Sequence, residues 1–550
     1  MTQRNSILIP SFLGHPDKIL PPLFLISTCI KILLIPTYRS TDFDVHRNWL
    51  AITHNTPISE WYWNDVNGTT VHTLDYPPAF AFFESFLSNN FITEIVLPQG
   101  DKCLDLLPDF DNTPSQSCIV FQRSTVIFSD IILWIGAYFA CRSLHPRRPL
   151  QFVVTSFLLI VFNPALLWLD HIHFQYNGMI LGVLLASLGC LMMGNNVAIV
   201  PENGNHTVKQ PIAYDIYHLA GAGLFALLLN LKHLYLPLAP LYFCYLLERY
   251  CLTIGIPAGG KQKQFLPGKF LQLALVTGTT LVLPWIPFIM CEDPKSQILQ
   301  ILKRLFPFQR GLVHDYWAGN IWALYTFANR VLIFAVGRLG PKVRPMLSEE
   351  VADIFDGMYL PEPSPLICAV LLFLSIIPGL QMASSRLTNK KLIEAVVYVS
   401  LCSFMLAYHV HEKAILTTMI PLTLLVEPNP RGEYHNLFFW NITLWGLLGL
   451  FPLLYRTREL SIKLSSFLCY LGLISCLLRT PPRWIMDMQY RTYGLVALVI
   501  AFLEIIPIQG KWEFFPLMTT SIVCASGLVT CWTFSFWLLM RDENKPSVES

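Results

Sequence analysis

Charge is scarce in this sequence. Asp, Glu, Lys and Arg make up 13% of its 550 residues, where a soluble domain carries roughly a quarter. That shortage excludes an ordinary soluble globular fold. No tract of clustered Lys and Arg is present, and the net charge is only +2, so no nucleic-acid partner is expected. P-loop, GxGxxG, CxxC and HExxH signatures are all missing, which leaves nucleotide-loop, dinucleotide and zinc-hydrolase chemistry without their usual marks. There is no repeat with a period of about 20–50 residues, so a solenoid or propeller is not indicated.

What the chain has in abundance is apolar length. Hydrophobic residues make up 53% of it and the mean hydropathy is +0.48. Runs of about 20 apolar residues recur, each long enough to cross a bilayer as a helix. A β-barrel would show short alternating segments instead. The fold class is therefore an all-α polytopic membrane protein. About fourteen spans are expected, roughly at 17–37, 119–141, 151–169, 177–194, 215–231, 233–251, 269–290, 364–382, 392–408, 413–427, 436–455, 461–479, 487–506 and 515–540. The first run lacks a small-residue cleavage site and reads as a retained anchor. Most of the 14 cysteines sit inside these runs, as small buried hydrophobes do. Cys103 and Cys118 instead share one polar loop and could pair if it faces an oxidising compartment.

Lys and Arg in the short loops set the orientation. With a cytosolic N-terminus, the segments "HPRRP" (145–149), "GGKQKQFLPGK" (259–269), "SSRLTNKK" (384–391) and "RTPPR" (479–483) and the tail from Arg541 are all cytosolic and basic. "YRTRE" (455–459) is a basic exception on the other side. Both termini then lie in the cytosol. Two long loops, roughly 38–118 and 291–363, lie opposite. Of the glycosylation sequons at Asn67, Asn205 and Asn441, only Asn67 falls in such a loop.

The ionisable residues at span ends gather on that same side. They occur in "STDFDVHRNWL" (40–50), "TLDYPPAFAFFE" (73–84), "LDHIHFQYNG" (169–178), "LKHLYLP" (231–237), "LKRLFPFQRGLVHDYWAGNIWALY" (302–325) and "YHVHEKA" (408–414). Each alone could be helix capping or snorkelling, the Trp and Tyr an interfacial belt, and "DYPP" a turn that starts a helix. Charges near a bilayer are costly, and six clusters on one face point to a shared site. Asp42, Asp44 and Asp75 are candidate general bases. His46, Arg47, Lys232, His233, Arg304, Arg310, His314, His409, His411 and Lys413 could steady a phosphate leaving group. "HIH" (171–173) and "HVH" (409–411) could hold a metal on an extended segment, but no compact third and fourth ligand accompanies them. Phosphate or hydroxyl binding suits their Lys and Arg neighbours better.

These segments carry a resemblance. "TDFDVHRNW", "TLDYPP", "DHIHFQYNG", "RLFPFQRGLVHDYWAGNIWALY" and "HVHEKA" resemble, in order, the signature segments of the endoplasmic-reticulum dolichyl-phosphate-glucose-dependent α-1,3-glucosyltransferases, which are GT-C enzymes. The resemblance runs from about residue 20 to 425; residues 436–550 match only as a pattern of helices. Thr41 before the acidic triplet, Val45-His46-Arg47-Asn48-Trp49 after it, and Ala414 closing "HVHEKA" resemble the members that add the second glucose.

The resemblance implies one transmembrane GT-C domain over 1–550, with the catalytic motif in loop 38–118. It implies a dolichyl phosphate glucose donor, a monoglucosylated nine-mannose dolichyl-pyrophosphate acceptor, and inversion to an α-1,3 bond in N-glycan precursor assembly. It places the enzyme in the endoplasmic reticulum membrane with a luminal site. Asp42 takes the role of base. Asp44, Arg47, Asp75, His171, His173, Lys232, Arg310, His314, His409, His411 and Lys413 are the expected substrate-binding set. No cofactor or metal is implied, because dolichyl phosphate is already a competent leaving group. The competing readings are a first-glucose enzyme acting on the unglucosylated acceptor, a secondary transporter, and a non-catalytic dolichol-lipid-binding protein. A transporter would show internal repeats and midplane charges.

Overall fold

The computed structural model describes residues 16–63, 72–106, 113–144, 146–147, 149–197, 211–255, 262–313, 317–339, 360–385, 387–428, 433–454, 459–478, 496, 499–500 and 514–541. The chain folds into helices. In order these are α1 (Pro16–Leu33), α2 (Thr41–Asn55), α3 (Pro78–Leu87), α4 (Asn90–Val96), α5 (Gln116–Leu144) and α6 (Leu150–Val161). A short α7 (Pro164–Leu166) then runs into a π-helical turn, Leu167–Ile172. Next come α8 (Asn177–Val197), α9 (Ile212–Leu231), α10 (Ala239–Leu246), α11 (Pro267–Val282), α12 (Ile286–Ile289), α13 (Pro294–Leu305) and α14 (Ile321–Leu339). The last six are α15 (Pro365–Ala383), α16 (Asn389–Leu406), α17 (Leu416–Leu422), α18 (Glu433–Leu450), α19 (Leu460–Leu477) and α20 (Phe515–Met540). A single antiparallel hairpin, Leu252–Gly255 with Gln262–Phe265, is the only sheet among the described residues.

Nine helical segments among the described residues are long and apolar enough to cross a membrane. The architecture is that of a polytopic α-helical membrane protein. The spans expected near 119–141, 151–169, 177–194, 215–231, 269–290, 364–382, 436–455, 461–479 and 515–540 each correspond to one of the nine. The stretch expected as one span at 233–251 is broken, because Pro237 and Pro240 lack the N–H that a continuous helix needs. It becomes a 3-10 segment (His233–Leu238), α10 and a π-helical turn (Leu247–Cys251). The stretch at 392–408 lies in α16, whose first turns carry Lys390, Lys391 and Glu394. The span expected at 487–506 falls almost wholly outside the described residues. The second long loop, 291–363, contains the helices α13 and α14.

Local sequence sets where the helices begin. Ser40, Asn89, Asp293, Ser364 and Thr388 each accept a backbone N–H in the first turn that follows, filling donors left open at a helix start. Pro78 is the first residue of α3, as the turn reading of "DYPP" expects. At the centre, α8 packs between α5 and α9. A Cβ built on Gly136 of α5 would run into the Gly182 carbonyl of α8, so only glycine lets these backbones approach so closely. α8 lies almost wholly inside the protein, whereas the segment containing α11 is mostly exposed. The outer faces of α11 and α15 expose Leu271, Leu275, Leu366 and Phe373, the side chains expected against lipid.

At one end of the bundle a disulfide joins Cys103 to Cys118, with Cα atoms 5.3 Å apart. Asn55, the last residue of α2, donates to the Leu104 carbonyl at 2.6 Å. The bridged loop thus clamps the C-terminal end of α2 to the start of α5. A bridge across 15 residues removes about 3 kcal/mol of unfolded-chain entropy. The double variant Cys103→Ser/Cys118→Ser should therefore lower the thermal midpoint of the purified protein by several degrees. The wild-type protein should lose one bridge's worth of non-reducing gel mobility on treatment with dithiothreitol.

Candidate active site

The site is built on the first turn of α2. Ser40 caps this helix, accepting from the Asp42 amide at 3.2 Å, and its hydroxyl also donates to the His173 carbonyl. The positive end of the helix favours a carboxylate here, and Asp42 occupies it. Further along α2, His46 Nδ1 lies 2.7 Å from Glu84 Oε1 on α3. Trp49 donates to the Thr73 carbonyl at 3.0 Å and Asn48 to that of His72 at 2.6 Å. These bonds staple the segment that carries Asp75 onto α2.

Three donors converge on one oxygen of Asp42. Gln175 Nε2 lies 2.6 Å from Oδ2, Lys413 Nζ 2.7 Å and His173 Nε2 3.3 Å. No described group donates to Oδ1. The Asp42 side chain is 26% exposed. Burial alone would push this carboxyl up. The Lys413 ammonium and the His173 imidazole outweigh burial and hold Asp42 well below the usual carboxylate range. Burial and then the Lys413 charge pull His173 down from its ordinary value.

The loop that supplies Gln175 and His173 is bolted at many points. Asp170 accepts from the amides of Asn177 and Gly178, at 3.1 and 2.6 Å, and so fixes the start of α8. Arg123, buried in α5, donates to the carbonyls of His171 (2.6 Å), Ile172 (2.8 Å) and Tyr38 (2.9 Å). Its guanidinium also lies 5.7 Å from the Phe43 ring centre and 5.8 Å from that of Phe174. Between His173 and Gln175, Phe174 adopts φ 84°. This left-handed backbone is costly for a bulky residue and persists only where the surroundings over-determine it. It lets two residues flanking one position turn toward the same carboxylate.

Other members of the expected set surround this core. Lys232, at the end of α9, donates to Asn177 Oδ1 at 3.0 Å and lies 5.2 Å from the Tyr76 ring centre. Burial and then the nearby Lys413 charge bring it down to about 8. Asp75 lies 3.5 Å from Arg310; burial raises this carboxyl despite the guanidinium. His409, with φ 53°, lies with Nδ1 2.9 Å from the Gly311 carbonyl. The amide of His409 donates to Leu312 and Val313 bridges to Val410, so the "HVHEK" turn is tied to the "QRGLV" segment. The His411 ring centre is 5.4 Å from that of His409. His314 lies outside the described residues.

Not every expected residue joins the cluster. Asp44 and Arg47 lie on a different face of α2 from Asp42. Burial raises the Asp44 carboxyl although Arg47, Arg39 and His72 pull against it. His171 turns away altogether. Its Nε2 lies 2.8 Å from Asp130 Oδ2, which Lys31 Nζ approaches to 2.6 Å. The two imidazoles of "HIH" therefore serve different carboxylates. A cavity of about 60 Å³ lies against this triad, between α1, α5 and the α6–α7 corner.

The sequence profile described as the ALG6, ALG8 glycosyltransferase family matches residues 27–535. The chain belongs to the ALG6, ALG8 glycosyltransferase family. A Gibberella zeae protein is 37% identical over 530 residues, covering 92% of this chain and 96% of its own. A Mus musculus protein is 34% identical, covering 92% and 93%, and one from Arabidopsis thaliana is 34% identical, covering 94% and 96%. All three are named dolichyl pyrophosphate Glc1Man9GlcNAc2 alpha-1,3-glucosyltransferase.

Within this family member, several site-building residues escaped the sequence reading. Gln175 lies inside "LDHIHFQYNG", where nothing in the sequence sets it apart from an ordinary polar residue. Lys31, Arg123 and Asp130 sit inside apolar runs, and an ionisable residue there was the signal that could have found them. The Lys31–Asp130–His171 triad gives a prediction. Breaking one partner of a buried ion pair costs about 3–5 kcal/mol, because the other charge is stranded. Asp130→Leu should lower the thermal midpoint sharply, and the double variant Lys31→Met/Asp130→Leu should recover part of the loss. Equal loss in both would show that the pair is not the source of the cost.

Proposed function

We propose that this protein transfers glucose from dolichyl β-D-glucosyl phosphate to the monoglucosylated nine-mannose dolichyl-pyrophosphate oligosaccharide. The product is the diglucosylated precursor for N-glycosylation, joined by an α-1,3 bond. The names of the relatives support the acceptor and the bond type. The family resemblance supports the donor. An α product from a β donor calls for one inverting displacement at the anomeric carbon.

The observation that carries the chemistry is the asymmetry of Asp42. Its Oδ2 is held by Gln175, Lys413 and His173, while Oδ1 accepts from no described group. Oδ1 takes the proton of the acceptor 3-hydroxyl as its oxygen bonds to the glucose C1. The C1–O bond to phosphate breaks on the opposite face. Lys413, Lys232, His409 and His411 supply positive or proton-bearing groups near that phosphate, with Arg310 beside them; the family resemblance adds His314 to the set. Asp75 orients sugar hydroxyls. Asp44 and Arg47, on the other face of α2, meet the larger acceptor. His173 bears on the base directly, and His171 acts by holding its loop.

We place the protein in the endoplasmic reticulum membrane with this cleft in the lumen and both termini in the cytosol. The disulfide Cys103–Cys118 supports that orientation, since it lies in the same long loop as Asp42 and disulfides persist in oxidising compartments. The basic loops on the opposite side support it too.

General-base removal typically costs roughly 10²- to 10⁴-fold in rate. Asp42→Asn should fold, insert and lose glucose transfer by that order, whereas Asp44→Asn should keep kcat within about tenfold of wild type. Purified protein given dolichyl phosphate glucose should consume the monoglucosylated acceptor and spare the unglucosylated one. Near-wild-type turnover by Asp42→Asn would remove the base assignment. Preference for the unglucosylated acceptor would mark a first-glucose enzyme.

A further inference from the structure

The ion pair that holds Asp42 raises a difficulty for its use as a base. Lys413 Nζ, 2.7 Å from Oδ2, also lies 3.5 Å from His173 Nε2. Asp42 is its only ion-pair partner among the described residues. A carboxylate facing a fixed ammonium binds a proton poorly. Yet Lys413 belongs to the "HVHEK" turn, the segment expected beside the donor phosphate.

We propose that Lys413 is a counter-ion shared in turn by the base and the leaving group. In the empty enzyme it neutralises Asp42. When the donor enters, its phosphate draws the ammonium away, and the base gains strength only with donor in place. This proposal rests on the glucosyl-transfer reading above and on Asp42 as its base.

The charges balance through the step. The acceptor hydroxyl gives its proton to Asp42 Oδ1, and its oxygen forms the bond to C1. The C1–O bond to phosphate breaks, and its electron pair stays on the phosphate oxygen. One negative charge leaves Asp42 and one appears on dolichyl phosphate. An ammonium between the two follows the charge, and no co-reactant is needed. His173 and Gln175 keep Oδ2 in place while Lys413 moves, because their loop is fixed by Arg123 and Asp170.

The other charged groups around Asp42 are few. Lys232 is committed to Asn177 Oδ1 at 3.0 Å. Asp75 is paired with Arg310, and His72 bears on Asp42 only through its charge. Glu412, next to Lys413, is 3% exposed, has no hydrogen-bond partner for either oxygen, and is pushed by burial up to about 7. Among the described residues it forms no ion pair with Lys413, whose ammonium is on Asp42.

The test compares two pH profiles of wild-type enzyme. The acid limb of kcat/KM for donor reports Asp42 in the free enzyme, and that of kcat/KM for acceptor at saturating donor reports it in the donor complex. The donor is a phosphodiester and does not titrate in this range. The second limb should lie higher by about one pH unit or more. Lys413→Met should close the gap by raising the free-enzyme limb, while Lys413→Arg should keep it. Coincident limbs in wild type, or a gap that survives in Lys413→Met, would overturn the proposal. Should Lys413→Met fail to fold, the wild-type comparison decides alone. Absence of any transfer by wild type would instead count against the reading of the function.

Discussion

The 2.7 Å contact between Lys413 and Asp42 joins residues 371 positions apart in the chain, and the cleft is organised around it. Near a membrane, a charge left unpaired is costly, so ionisable side chains must find partners or lie in water. Asp42 meets this condition with three donors on one oxygen, drawn from two distant segments. The second oxygen accepts from no described group, as the proposed base role requires. On that proposal, stability and reactivity are divided between the two atoms of one carboxylate.

Holding those donors in place occupies much of the neighbouring structure. Arg123 spends its guanidinium on three carbonyls, Asp170 on the start of α8, and His171 on Asp130. The strained backbone at Phe174 is the geometric consequence, and the packing of that ring against Phe43, at 5.1 Å, keeps it there. A similar device appears at His409, whose left-handed backbone meets the Gly311–Val313 segment. Both unusual torsions fall in segments that reach the same cleft. The disulfide end of α2 and its capped start hold the helix at both ends, so small shifts of Asp42 are resisted from two directions.

Much of this was legible in the sequence, and the reasons are physical. Apolar runs report bilayer-length helices directly, so most spans could be placed. A run broken by Pro237 and Pro240 could not be told from an intact one by hydropathy alone. Nor did the polar character of 291–363 reveal that α13 and α14 form within it. The clustering of Asp42, His173, Lys232 and Lys413 was readable because charges beside apolar runs are conspicuous. Which face of α2 each acid takes was not: Asp42 and Asp44 differ by two positions, about 200° around a helix, and only packing decides which one meets Lys413. His171 was grouped with His173 for the same reason, since proximity in sequence does not fix where two side chains at a π-helical corner point.

The central claim is that Asp42 Oδ1 is the atom that receives the acceptor proton. The most direct measurement is a structure of the full chain with an inert dolichyl phosphate glucose analogue and the monoglucosylated acceptor bound together. The acceptor's 3-hydroxyl is expected about 2.6–3.2 Å from Asp42 Oδ1, in line with C1 and opposite the phosphate. A hydroxyl seated instead on Asp44 or Asp75, with Asp42 pointing away from C1, would contradict the account.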